Sequence, residues 1–383
     1  MTRIPPIMPG ATLGVLGGGQ LGRMFALAAM QMGYRVAAFT NEPNSPISQI
    51  CPQVTVGDYA DEEALRNFGK TVSVVTIEFE NIPSSALEAL QTVTVVRPSP
   101  HVLHITQHRL REKQFLSGKG FPLAPFHPVS NTADLHQALS QIGTPAVLKT
   151  AGFGYDGKGQ KIIHSAADAD AAFAAIDGQE AIVEQYIDFE KEISVIGARS
   201  QSGDFVAYGP IENQHTNHIL DVSFSPARIN WTLAEEAIDL TRSIMDALDV
   251  VGLLCVEMFV TPEETLLVNE LAPRPHNSGH YSIEGCPTSQ FEQQVRIITG
   301  LPLGSSETER GSAMVNLLGD LWTEGEPDWI SAVALPDVHL HLYGKSEPRP
   351  GRKMGHITAC ARWADEAVDR AKSARDLVTR VKA

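Results

Sequence analysis

Apolar runs alternate with periodic stretches through the first hundred residues. Residues 11–16 are a short apolar run ending in glycines, and residues 34–39 and 72–77 are two more. Residues 21–32 carry helical spacing, and residues 61–68 are acidic and helical in character. Strand–helix alternation of this kind predicts βαβ units and a parallel sheet. A helix over 104–116, polar on one face, leads to a second unit from about residue 121. There the pattern predicts strands at 146–149, 160–163 and 181–185, a helix at 165–176 and a glycine-rich loop at 152–159. This small, sheet-rich unit with a loop at its edge reads as a lid. A third unit from 192 to about 300 has strands at 193–199 and 205–208, a helix at 233–248, a hairpin near 253–268 and a helix at 289–299. A tail from 312 adds strands at 313–317, 338–342 and 356–360 and a helix at 366–381. The fold expected is α/β, becoming α+β in its later part. Its domains are a Rossmann-like parallel-sheet domain at 1–108, a lid at 109–187 and an antiparallel-sheet domain at 188–383.

The hairpin concentrates the chemistry. Glu257 lies in one apolar run and Glu270 ends the next, with Thr261-Pro262-Glu263-Glu264 between them as a turn. Folding there brings Glu257 opposite Glu270 or Asn269. Two facing carboxylates repel, and a divalent cation between them removes the repulsion; acid and amide oxygens suit Mg²⁺. Arg274, His276, Asn277 and Ser278 follow at once and supply anion-binding and hydrogen-bonding groups.

The formal net charge of −15 argues against nucleic acid as a partner. No run approaches the ~18 apolar residues of a membrane span. Residues 1–10 have no apolar core of signal-peptide length. Cys51, Cys255, Cys286 and Cys360 are scattered, which suggests reduced thiols in a cytoplasmic protein rather than a disulfide framework or a zinc site.

Other motifs are less specific. Gly17, Gly19 and Gly22 give G-x-G-x-x-G between a strand and a helix, with Glu42 about 20 residues on. This is either a dinucleotide fingerprint, a general anion site at a helix N-terminus, or a tight turn with no ligand. Lys149 ends a strand before Gly152–Gly159, whose four glycines can close over phosphates; the G-K-[ST] ending of a Walker loop is absent. Glu192 follows 182–187, a strand able to offer its backbone to an adenine edge, and its carboxylate could take a ribose hydroxyl pair, though such a residue is more often a surface acid. His276 and His280 are four apart without a good helix between them, a poor zinc pair. His101, His104 and His108 fall on one helical face with a solvated or capping role. Lys345, Arg349, Arg352 and Lys353 cluster in 343–356, either a phosphate-monoester site or a solvated basic loop.

Four stretches in this order, G-G-G-Q-L-G-R-M (17–24), G-Y-D-G-K-G-Q (154–160), N-E-L-A-P-R-P-H-N-S-G-H (269–280) and R-P-G-R-K-M-G-H (349–356), resemble the ATP-grasp ligases. More closely, they resemble the family of N5-carboxyaminoimidazole ribonucleotide synthetases. The resemblance covers nearly the whole chain, places the ATP-grasp module at about 112–300, and overrides the nicotinamide reading. It implies ATP and Mg²⁺ as cofactors, aminoimidazole ribonucleotide and bicarbonate as substrates, and a homodimer. It implies that Arg109 and Lys149 touch phosphates, and that Gly154, Tyr155, Asp156, Gly157, Lys158, Gly159 and Gln160 cover them. Glu184, Gln185, Tyr186 and Ile187 would border adenine, Glu192 hold the ribose and His215 contact the nucleotide. Glu257 and Glu270 would hold Mg²⁺, with Asn269 beside them. Gln20, Leu21, Tyr155, Asp156, Arg274, His276, Asn277 and Ser278 would surround the ribonucleotide and carboxyl donor, and Lys345, Arg352 and Lys353 its 5′-phosphate. Glu78 or Glu80 would face the imidazole.

The reaction implied is bicarbonate attack on ATP to give carboxyphosphate, then capture of it, or of CO₂ released from it, by the exocyclic amine. Lys149 would stabilise charge, Asp156 act as base and Arg274 polarise the carboxyl group. The competing readings are a formate-using ATP-grasp transformylase, a nicotinamide oxidoreductase and a nucleotide sensor without turnover.

Overall fold

The structure is a computed structural model and describes residues 5–152, 159–308 and 310–378. Three sheets organise it. The first comes from the first hundred residues: β1 (Thr12–Leu16), β2 (Arg35–Thr40), β3 (Gln53–Val56), β4 (Val74–Ile77) and β5 (Val95–Val96), parallel, in the order β3-β2-β1-β4-β5. β1 and β4 are buried on both faces, as continuous apolar runs in a parallel sheet must be. Strand order reverses between β1 and β4, and at their carboxyl ends lie Gly17 and Glu78. Ligands in open α/β sheets bind at such a switch point.

The second sheet is small and antiparallel: β6 (Phe126–Val129), β7 (Ala146–Thr150), β8 (Gln160–Ile163) and β9 (Ala181–Gln185), ordered β6-β9-β7-β8. Leu135, Ala138 and Leu139 of the helix Thr132–Ile142 pack on it with Leu148 and Val183.

The third sheet has eight strands: β10 (Lys191–Arg199), β11 (Phe205–Thr216), β12 (Ile219–Ser225), β13 (Gly252–Val260), β14 (Leu266–Ala272), β15 (Gly311–Leu318), β16 (Val338–Leu342) and β17 (Lys353–Ala361). They are ordered β14-β13-β10-β11-β12-β15-β17-β16. The periodic helix Trp231–Ala247 buries Leu233, Ala237, Ile244 and Met245 against β10 and β13. The helix Gln290–Thr299 sets Phe291, Val295 and Ile298 against Phe25 and Ala29 of the helix Gln20–Gln31, joining the first sheet to the third.

Residues 104–116, expected as one helix, form two, Pro100–Thr106 and Arg109–Gly118. His108 is extended between them, accepts a hydrogen bond from Arg111 N at 3.4 Å as the N-cap, and bridges to Gly152. His101, His104 and His108 therefore do not share one helical face. The strands expected at 205–208 and 266–268 run on to Thr216 and Ala272. Polar residues in these extensions hid them: Asn213, Asn269 and Glu270 point into the site described below, while Glu212 pairs with Arg228 on the opposite face of its strand. β12 was hidden for the same reason, its Asp221 and Ser223 interrupting the apolar pattern.

Candidate active site

The hairpin forms as its sequence suggests. Thr261 N donates to Thr265 O at 3.0 Å, Glu264 N to Thr261 O at 2.9 Å, and Glu264 takes φ 57° to close the turn. Glu257 then lies opposite Glu270, while a register shift before Met258 leaves Asn269 as the bulged residue beside the pair. The two acids are held at different protonation tendencies. Burial works against the charge of Glu257, but His276 outweighs it and brings the carboxyl down to about 2. Burial and the charge of Glu257 push Glu270 up. Opposed carboxylates and an amide oxygen form a hard-oxygen donor set. A divalent cation between the opposed acids fits that donor set.

Facing this pair is a group of cations. Lys149, in β7, sets Nζ 2.8 Å from Glu184 Oε2 and 3.5 Å from Asn269 Oδ1. Lys113 approaches the same acid at 3.8 Å and donates to Val268 O at 3.2 Å. Burial opposes the charge of Glu184, but the two lysines outweigh it and hold the carboxyl at about 2. Arg109 opens the helix Arg109–Gly118, its N–H donating to Ala151 O at 2.8 Å and its guanidinium to Thr150 O at 2.9 Å. Behind them burial, with Glu270 adding to it, pushes Glu112 up to about 8, and Glu112 accepts from Leu271 N at 3.1 Å. Glu112 and Lys113 escaped the sequence reading because, in a periodic polar segment, they look like any solvated i, i+1 pair.

Gly159 carries φ +73°, its carbonyl accepts from Thr150 N at 2.9 Å, and Gln160 pairs with Lys149 across β7 and β8. Gly154, Tyr155, Asp156, Gly157 and Lys158 lie outside the described residues. At the end of β9, Gln185 N and Tyr186 N donate to Pro125 O and Pro145 O, at 2.8 and 3.2 Å, which leaves their N–H groups engaged within the protein; Ile187 follows directly. Glu192 in β10 is ion-paired with His215 in β11. Burial opposes the charge of His215, and the hydrogen bond it donates to Glu192 raises its pKa. Glu192, Asn213, His215, Glu257, Met258 and Asn269 line one small cleft.

The residues after β14 form the other side. Arg274 is clamped by Glu80 through two bonds, its Nη2 lying 2.9 Å from Oε1. Burial works against that guanidinium, yet Glu80 keeps its pKa raised. Glu78 instead takes the N–H groups of Gly19 and of Gly22, the latter at 2.6 Å. The anion facing the glycine turn in this structure is thus the protein's own carboxylate. Gln20 and Leu21 lie in that same first helical turn. His276 N and O are clasped by the Gln290 amide at 2.9 and 2.8 Å, and Nε2 lies 3.0 Å from Glu257 Oε1. Asn277 and Asn316 exchange amide hydrogen bonds at 3.1 and 2.8 Å. Ser278 binds Ser194, which receives Asn213, which receives Ser223, at 2.8, 2.9 and 2.8 Å. These polar side chains on β10, β11 and β12 were not legible in the sequence, since they meet only through strand register. His280 is fully buried against Phe291, Tyr343 and His356, well away from a helical pairing with His276.

In the basic loop Lys345 donates to Lys353 O at 2.7 Å, and its charge reaches Glu78. Gln49 joins Gly344 O at 2.5 Å to Arg23 at 2.9 Å, so the loop abuts the glycine turn. Arg352 donates to Glu347 O at 2.9 Å, and Arg349 is exposed.

Known proteins share this fold. The chain matches the ribonucleotide synthetase preATP-grasp domain over residues 10–107, the ATP-grasp domain over 114–291 and the phosphoribosylaminoimidazole carboxylase C-terminal domain over 312–370. It is 43% identical over 362 residues to N5-carboxyaminoimidazole ribonucleotide synthase of Bacillus subtilis (strain 168), covering 94% of each protein. Its fold superposes with TM-score 0.92 on the ADP complex of an N5-carboxyaminoimidazole ribonucleotide synthetase, 41% identical, over 99% of this chain and 100% of that one. The Aspergillus clavatus N5-carboxyaminoimidazole synthase in complex with ADP and 5-aminoimidazole ribonucleotide gives 0.89 at 32% identity, over 97% and 99%. Similarity at this level and over this length places the chain in the N5-carboxyaminoimidazole ribonucleotide synthase family of ATP-grasp enzymes.

Proposed function

We propose that this chain carboxylates the exocyclic amine of 5-aminoimidazole ribonucleotide, using bicarbonate and ATP, to give N5-carboxyaminoimidazole ribonucleotide, ADP and phosphate. The observation that carries the reading is the Glu257–Glu270 pair facing Lys149, with Arg274 four residues beyond on the same chain. A phosphoryl-transfer site and a carboxyl-transfer site joined by so short a span suit an intermediate that water destroys.

Magnesium held by Glu257, Glu270 and Asn269 would supply the charge neutralisation that ATP phosphates require. Lys149 and Arg109, gathered around Glu184, stabilise the γ-phosphoryl group as bicarbonate oxygen attacks it and ADP leaves. Glu184 orients Lys149 rather than meeting adenine directly. Gln185, Tyr186 and Ile187 form the adenine edge through the groups left to them, and Glu192 and His215 face the ribose. The 109–187 unit acts as a lid whose loop, with Gly159 and Gln160 at its foot, excludes water from carboxyphosphate. Arg274, aligned by Glu80, polarises the transferred carboxyl group. Asp156 takes the proton that the amine loses as its new C–N bond forms. Glu78, Gln20, Leu21, His276, Asn277 and Ser278 line the ribonucleotide pocket, and Lys345, Arg352 and Lys353 receive its 5′-phosphate. The enzyme works as a cytoplasmic homodimer. The test is ATP cleavage with each purine-pathway ribonucleotide, supplied with bicarbonate or formate. Cleavage that requires aminoimidazole ribonucleotide and bicarbonate supports the reading; a formate requirement would place the chain with the transformylases.

A further inference from the structure

Cys255 and Glu257 are two apart on β13, so both project from one face of the strand. Cys255 is fully buried. His276, entering after β14, turns its ring onto the same spot. Its Nδ1 is engaged by Ser278 Oγ at 2.8 Å, leaving Nε2 to face Glu257 at 3.0 Å. Cys255 Sγ lies within 4.8 Å of both. One thiol sulfur, one carboxylate oxygen and one imidazole nitrogen therefore lie within 4.8 Å of one another, and among the described residues no other set of three or more His, Cys, Asp or Glu meets that criterion. The hydroxyl–amide chain Ser278–Ser194–Asn213–Ser223 fixes the imidazole from behind. In this structure Nδ1 also accepts the Ser278 N–H at 3.3 Å; a metal-bound histidine instead donates its second ring N–H, a role that Ser278 Oγ can accept.

We propose that Cys255, Glu257 and His276 form a second cation site, specific for a borderline or soft divalent transition metal such as zinc. It overlaps the hard-oxygen site through their shared residue, Glu257. A sulfur–nitrogen–oxygen set is a zinc set, whereas magnesium takes oxygen donors. Zinc bonds of about 2.0–2.3 Å need only small side-chain movements from this starting geometry. Three protein ligands leave a fourth position for water or substrate. Binding releases the Cys255 thiol proton to solvent and requires the neutral imidazole to carry its proton on Nδ1, donated to Ser278 Oγ, so that Nε2 offers its lone pair and the Ser278 N–H bond to Nδ1 is given up; there is no redox change. Because Glu257 cannot serve both ions in its full geometry, occupancy by zinc removes one ligand from the magnesium arrangement. Zinc is therefore an inhibitor of this chain that acts at the reaction centre. That last consequence rests on the proposed function; the binding itself does not.

Cobalt(II) is the probe, since a thiolate ligand gives it a charge-transfer absorption that oxygen and nitrogen ligands do not. Titration of the metal-free protein is expected to give that band at one equivalent, and one equivalent of zinc is expected to abolish it. Cys255→Ala should remain folded by circular dichroism and lose the band, while Cys286→Ala keeps it. In phosphate-release assays with saturating magnesium, zinc should inhibit the wild type at least tenfold more strongly than Cys255→Ala. A wild-type titration without the thiolate band, or an unchanged band in Cys255→Ala, overturns the site. A cobalt site that forms as described in a protein without ribonucleotide-dependent phosphate release upholds the site and rejects the proposed reaction.

Discussion

Single residues in this site are set by their neighbours more than by their type. Glu184 has two buried lysines leaning on it, Lys149 at 2.8 Å and Lys113 at 3.8 Å. Removing its charge leaves both without their shared partner. Glu184→Gln is expected to lower unfolding stability by about 3–5 kcal/mol, as for other broken buried pairs, and denaturant titration measures it. A loss under 1 kcal/mol would show that water, not Glu184, compensates those lysines. Glu270→Gln keeps the shape of the hairpin and removes one acid of the opposed pair. With several kcal/mol of charge stabilisation at stake, phosphate release should fall about 10²–10³-fold, and the magnesium concentration for half-maximal rate should rise. The acid pair, Lys149 and the cluster 274–278 were legible in the sequence because they stand beside apolar runs of recognisable period. Glu112 and Lys113 were not: nothing local distinguishes a solvated pair from one whose lysine reaches a carbonyl 155 residues away.

Elements are shaped by the points where they touch. The turn before the helix Gln20–Gln31 is crowded by Glu78 rather than open to an external anion. A Cβ at Gly17 would overlap the Glu78 side chain, and the residue sits at φ +111°, where L side chains are strained. A Cβ at Gly22 would lie 3.2 Å from Glu78 Oε2, at a helical position with ordinary φ. Gly17→Ala should therefore cost more than about 1–3 kcal/mol, and Gly22→Ala clearly less. Equal losses in the two variants, by thermal unfolding, would mean that Glu78 moves freely out of the turn. The βαβ alternation and the hairpin could be read from periodicity alone. The break at Gln107–His108 could not, because it depends on a bridge to Gly152 and on the bond from Arg109 N to Ala151 O, both across the chain. The G-x-G-x-x-G spacing had the right geometry and a misleading implication, since an internal carboxylate supplies the anion.

At the scale of the molecule, the last three strands complete the same sheet that carries the Glu257–Glu270 hairpin, so the tail is structurally continuous with the candidate site. The seam is a group of rings: His341 stacks on His356 at 4.4 Å, His280 lies 4.8 Å from His356, and Tyr343 is 2.9 Å from His356 Nδ1. Burial holds both His280 and His356 well below the usual histidine range. In the folded state they stay neutral, while in the unfolded chain they protonate near pH 6.5. Their contribution to stability is thus present above that pH and is lost as pH falls below it. Other groups, such as Glu112, carry the opposite slope, so the difference between proteins is what isolates the effect. His356→Asn should be less stable than wild type at pH 7.5, and that deficit should shrink by about 1.4 kcal/mol per unit below pH 6.5. A deficit constant from pH 7.5 to 5.5 in denaturant unfolding would show that His356 titrates normally. Strand order across eight strands is beyond local pattern, because partners such as β12 and β15 are distant in sequence and meet only on folding. The central claim concerns that assembled whole: the phosphoryl site around Glu257, Glu270 and Lys149 serves the ribonucleotide site around Arg274. It is tested most directly by phosphate release at fixed MgATP and bicarbonate, with and without 5-aminoimidazole ribonucleotide. Strong stimulation by the ribonucleotide is the expected result, and a rate indifferent to it would contradict the account.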